Sequence, residues 1–106
     1  GGFNVYPKEI ETEIDLIRGV KESAVIGVPH TDFGEAVVAV VVKDGSATLE
    51  SHQIINSLQG RLAKFKQPKS VVFVEELPRN VMGKVQKAQL RKNYQTLVSQ
   101  LKTLTI

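Results

Sequence analysis

The sequence predicts an α+β domain, a small three-stranded sheet with about three helices packed on it. Three observations predict this class. Apolar spacing alternates between helical and strand patterns in the order helix, strand, strand, helix, strand, helix. Two β-rich runs flank a turn-rich loop, and a third run returns after a helix, as in a hairpin followed by a crossover. The length, 106 residues, fits one domain with a modest core. Residues 1–106 are therefore read as one domain, opening on a short N-terminal loop or hairpin remnant.

Each element has its own signal. Val5-Tyr6-Pro7 leads into a first helix, because proline suits a first turn and Glu9, Glu11 and Glu13 suit its positive end. Ile10, Ile14 and Ile17 recur at helical spacing and define its buried stripe, and Gly19 ends it. Ser23 to Val28 is a β-rich run closed by Pro29. Pro29 to Gly34 is a turn-rich loop, and Glu35 to Lys43 is a second, strongly β-branched strand. After the Asp44-Gly45-Ser46 turn, Thr48 or Ser51 caps a helix carrying Ile54, Ile55, Leu58 and Leu62. Gly60 falls in its last turn. Ala63 to Lys69 is a basic connector. Ser70 to Glu75 is a third strand, apolar on both faces and so read as central. Leu77 to Lys84 is a loop with Pro78, Asn80 and Gly83. A final helix begins near Val85, with Leu90, Tyr94, Leu97 and Leu101 along one side.

Composition removes several function classes. The longest apolar run, Ala36 to Val42, is strand-sized, far short of a membrane span. Cysteine is absent, so disulfide and thiolate chemistry are excluded, and a reducing cytoplasm is the expected setting. His30 and His52 are too few and too far apart for a metal site; His30 reads as structural. No initiator methionine or signal pattern appears, and Gly1-Gly2 reads like a loop cut from a longer chain. Charge is uneven: between residues 60 and 92, nine basic residues face Glu75 and Glu76, a net of +7 against +3 for the whole chain. Such a half implies an anionic partner or a solvated cationic face.

Chemistry concentrates in Pro78-Arg79-Asn80-Val81-Met82-Gly83-Lys84-Val85-Gln86-Lys87. Glycine lets the backbone turn sharply or approach a ligand, and a loop lysine is a mobile point charge suited to an oxyanion or phosphate. It is not a P-loop: Pro78 stands where the first glycine belongs, and Val85 replaces the magnesium-binding serine or threonine. On these residues alone Lys84 reads as a solvated turn lysine.

Three separated stretches, in order, resemble the C-terminal domain of acyl-CoA synthetases of the adenylate-forming, AMP-binding superfamily. They are Gly1-Gly2-Phe3-Asn4-Val5-Tyr6-Pro7-Lys8-Glu9-Ile10-Glu11, then Ala24 to His30 with Phe33-Gly34-Glu35, then Leu77 to Lys87 ending in Leu90-Arg91. The resemblance covers about residues 1–91, leaving the tail 92–106 outside it. It implies a mobile lid that works with a large N-terminal domain of the same enzyme. That enzyme joins a carboxylate to CoA using ATP, releasing AMP and pyrophosphate, with Mg2+ held mainly by the larger domain.

By motif match the adenylation lysine is Lys84. Gly1 and Gly2 would line the pantetheine tunnel in a second pose, or simply make a turn. Phe33 would lie near the site in that pose, or pack. Phe65, Lys66 and Lys69 would meet the CoA nucleotide, although Gln67 stands where some relatives carry arginine. Acetylation of Lys84 by a protein lysine acetyltransferase would disable adenylation. The run Met82 to Lys87 resembles malonyl-CoA synthetases. The isolated fragment is expected to be inactive. The rival reading is a freestanding basic module that binds nucleic acid or another anion without catalysis. Sparse aromatics and no recognition motif count against it. A third is the lid of a peptide synthetase or luciferase-type relative, disfavoured by the basic connector.

Overall fold

The computed structural model describes residues 6–30, 34–45 and 48–104, with side chains through Thr96. Helix α1 spans Pro7–Asp15. Pro7 sits in its first turn, where a missing N–H costs nothing. Ile10 and Ile14, one turn apart, are fully buried, and Ile17 packs on the same cluster just past the helix. Strands β1 (Val20–His30) and β2 (Gly34–Lys43) form the expected hairpin, with Ala24 opposite Val40 and Ile26 opposite Val38. Pro29 does not close β1, which runs on to His30. An edge strand tolerates a residue with no N–H to give to the ladder.

Helix α2 (Ser51–Leu58) carries the chain across to β3 (Ser70–Val74), which pairs parallel to β2. The N-cap of α2 is Glu50, rather than Thr48 or Ser51, and its N–H donates to the Gln53 side-chain oxygen at 2.8 Å. The helix closes before Gly60, whose φ of +82° supplies the left-handed residue beyond the end. A 3-10 turn at Lys64–Lys66 precedes β3. The last helix, α3 (Lys87–Leu104), starts later than expected because Val85 is engaged in an antiparallel bridge with Arg79.

The sheet order is β1-β2-β3, so β2 is the central strand and β3 is an edge, reversing the sequence-based expectation. The reason is visible in β2: Ala36 to Val42 are all buried. Successive side chains point to opposite faces, and both faces of β2 are covered. Val37, Ala39 and Val41 meet α1 and α2 through Ile10, Ile14, Ile54 and Leu58. Ala36, Val38, Val40 and Val42 join Leu77 and Leu90 on the other side, with Val85 and Tyr94 against them. The result is helix, sheet and helix in three layers. In β3 only Val71 is buried, and Phe73 is half-buried with the Lys43 ammonium 4.4 Å from its ring centre. Among the described residues no helix is long and apolar enough to cross a membrane.

Candidate functional site

The segment from Pro78 to Gln86 leaves the α3-side core at Leu77, which is buried, and re-enters it at Val85. Between these roots the backbone folds back on itself. The Gln86 N–H donates to the Pro78 carbonyl at 2.8 Å, and Arg79 and Val85 form a bridge. The tip is a tight turn in which the Gly83 N–H donates to the Asn80 carbonyl at 2.9 Å. Gly83 has φ +84°, a conformation that disfavours any residue with a Cβ.

Asn80 organises this turn. Its side-chain oxygen accepts the N–H of Met82 at 2.9 Å and that of Lys84 at 3.0 Å. Its own N–H donates to the Lys84 carbonyl at 3.0 Å, where the Gln86 side chain also donates. Arg79 braces the loop from below, donating to the Gly83 carbonyl at 2.7 Å and pairing with Glu22 of β1. The Lys84 backbone is therefore held at both its N–H and its carbonyl. Its side chain is exposed, and its ammonium forms no ion pair among the described residues. Val81 and Met82 at the tip are exposed too. Lys84 borders an open groove of about 860 Å³ with Lys8 and Glu11 of α1, Ser23 of β1, Asn80 and Lys87.

Several other cations are occupied. The Lys87 ammonium lies 2.7 Å from the Glu11 carboxylate, which also accepts the Val25 N–H at 2.8 Å. Lys66 lies 2.7 Å from Glu9, and Arg61 lies 3.5 Å from Glu13. The three glutamates of α1 thus meet three basic residues of the later half, which accounts for part of the charge asymmetry in the sequence.

The connector is a separate patch. Phe65 is 70% exposed and meets Tyr6 edge-to-face at 6.4 Å. The Lys66 ammonium lies 4.5 Å from the Tyr6 ring centre and 5.5 Å from that of Phe65. Gln67 donates to the carbonyls of Leu58 and Leu62 at 2.9 and 3.0 Å, fastening the end of α2. Lys69 is exposed, while its N–H extends the sheet by donating to Val37 at 2.7 Å. The structure thus joins Phe65 and Lys66 with Tyr6 and Glu9. Gly1, Gly2 and Phe33 lie outside the described residues. His30 is buried at the end of β1. Among the described residues no group of three or more His, Cys, Asp or Glu side chains could hold a metal ion.

Sequence reasoning missed Tyr6, Glu22 and the bracing role of Asn80. An asparagine three residues before Gly-Lys is a turn signal in principle. Nothing local points from Arg79 to Glu22, 57 residues away.

Fold and loop together define a compact α+β domain that presents one unpaired lysine on a fixed turn. The sequence profile of the AMP-binding enzyme C-terminal domain matches residues 9–84, and the chain belongs to that family. It is 50% identical over 92 residues to a substituted inden-4-yl-propanoyl:CoA ligase of Rhodococcus jostii, covering 87% of the chain and 18% of the ligase. It is 47% identical over 98 residues to the long-chain-fatty-acid–CoA ligase FadD13 of Mycobacterium tuberculosis, covering 92% and 19%. Among solved structures, apo MatB from Rhodopseudomonas palustris matches with a TM-score of 0.89 and 64% identity, over 93% of this chain and 20% of that one. The chain spans about a fifth of the length of the relatives it matches.

Proposed function

We propose that this chain is the mobile C-terminal lid of an ATP-dependent acyl-CoA ligase and that it carries Lys84 to the adenylation site. In the first half-reaction a carboxylate oxygen forms a bond to the α-phosphorus of ATP and the bond to pyrophosphate breaks. In the second, the CoA thiolate attacks the acyl carbon and AMP leaves. The carrying observation is the contrast among lysines. Lys66 and Lys87 are paired with carboxylates, whereas Lys84 projects unpaired from a loop that fixes its backbone. An ammonium held this way lowers the energy of two anions brought together around phosphorus, most of all at the transition state.

The acid best supported is a small dicarboxylate, malonate, on the match to MatB and the run Met82 to Lys87. Phe65, exposed and propped by Tyr6, suits stacking on the CoA adenine, with Lys69 of the same connector for phosphate. Lys66, committed to Glu9 and two aromatic rings, holds that patch together. Gly1 and Gly2 keep the pantetheine assignment and Phe33 its place near the second-pose site, both from the motif match. Magnesium would be held mainly by the larger N-terminal domain.

The test is pyrophosphate release by the intact parent enzyme. Lys84→Ala should cost about a hundredfold or more in rate, and acetylation of Lys84 by a protein lysine acetyltransferase should do the same by removing the charge. Wild-type pyrophosphate release by Lys84→Ala would reject the assignment.

A further inference from the structure

We infer that Asn80, with the Arg79–Glu22 pair beneath it, is the positioning device for Lys84 in adenylation. This rests on the assignment of Lys84 as the adenylation lysine. One carboxamide oxygen accepts both the Met82 and the Lys84 N–H, and the Asn80 backbone N–H closes the loop onto the Lys84 carbonyl. No other described side chain contacts both ends of the turn in this way. Gly83 beside Lys84 adopts positive φ and contributes no side chain to this bracing.

Arg79 then ties the turn to the sheet. Its guanidinium holds the Gly83 carbonyl with one nitrogen and the Glu22 carboxylate of β1 with another. The Cα of Lys84 is thereby referenced to β1 and not merely to its neighbours in sequence. An ammonium on a four-carbon stem has wide reach, so fixing the root removes much of the positional freedom that the transition state must otherwise suppress. Misplacing a reacting group by about 1 Å costs on the order of a hundredfold. Asn80 touches no reactant, so its effect falls on the step that uses Lys84 and not on substrate affinity.

The experiment compares Asn80→Ala, Asn80→Asp and Lys84→Ala in the intact parent enzyme, following both half-reactions. Asn80→Asp keeps an oxygen acceptor at the same place. Asn80→Ala should lower kcat for pyrophosphate release roughly ten- to hundredfold with KM for ATP and carboxylate little changed. Asn80→Asp should recover most of the rate. Thioester formation from added acyl-adenylate, which bypasses Lys84, should stay within about threefold for both. Added to Lys84→Ala, the Asn80→Ala change should cost nothing further. Equal loss in Asn80→Asp and Asn80→Ala, or equal loss in both half-reactions, overturns the positioning role. If Lys84→Ala abolishes pyrophosphate release but Asn80→Ala does not, the inference alone falls. If Lys84→Ala keeps its rate, the functional assignment itself has failed.

Discussion

Glu11 offers the sharpest test of how the two halves of the chain are joined. Its carboxylate accepts the Val25 N–H at 2.8 Å and the Lys87 ammonium at 2.7 Å, and its side chain is 18% exposed against 30% for Lys87. Val25 lies on the edge strand β1, so this N–H points away from β2 and depends on α1 for its partner. A charge-assisted hydrogen bond to a backbone donor is worth about 1.5–3 kcal/mol. The partly exposed ion pair adds no more than about 1 kcal/mol. The groove is open, so water can reach the orphaned donor, and the loss for Glu11→Ala should be about 2 kcal/mol. Glu11→Gln keeps a neutral acceptor and should lose about 1 kcal/mol. Urea denaturation of the chain reads both: with a slope of about 1–1.5 kcal/mol/M, the alanine midpoint falls by more than about 1 M. Midpoints within about 0.3 M of the parent for both variants would mean that α1, β1 and α3 are not held together through this carboxylate.

Two further outcomes follow from the packing. Leu90, 1% exposed, is the buried anchor of α3 against the sheet, so Leu90→Ala should cost about 2–5 kcal/mol in the same denaturation experiment. A loss under about 1 kcal/mol would mean that α3 is not seated there. Lys66→Met keeps the aliphatic stem but removes the Glu9 pair and two cation–ring contacts, and should cost about 1 kcal/mol. Lys64→Met, at an exposed position of the same connector, is the comparison. Equal midpoints for these two variants would deny Lys66 its structural task.

The sequence announced what depends on local period and concealed what depends on pairing. Ile10 and Ile14 at helical spacing, and Leu90 with Tyr94 one turn on, marked real buried faces. Both Ala36 to Val42 and Val71 to Val74 are unbroken apolar runs, and the sequence reading puts the second at the centre of the sheet. Which one sits there is settled by partners far along the chain, and the longer run took two neighbours. Capping went to Glu50 because Gln53 answers its N–H, a reciprocal arrangement that single-residue preferences do not weigh. Lys84 was legible from its own loop only as an exposed turn lysine. Its brace was not, since Glu22 reaches Arg79 only after the sheet and loop have formed. The glutamates of α1 suited the helix dipole, but in the fold they also neutralise Arg61, Lys66 and Lys87.

That brace sets how freely Lys84 can move relative to the sheet. Freeing Lys84 by opening the loop alone means breaking the bonds of Asn80 to Met82, Gly83 and Lys84, those of Arg79 and Gln86, and the Arg79–Glu22 pair. At about 0.5 kcal/mol for each exposed bond the opening costs roughly 3–4 kcal/mol, so less than about 1% of molecules would have the loop open at any moment. Exposed lysine side chains, by contrast, reorient in picoseconds to nanoseconds. The root of Lys84 therefore moves with the loop and β1 together, and only the side chain beyond it moves freely.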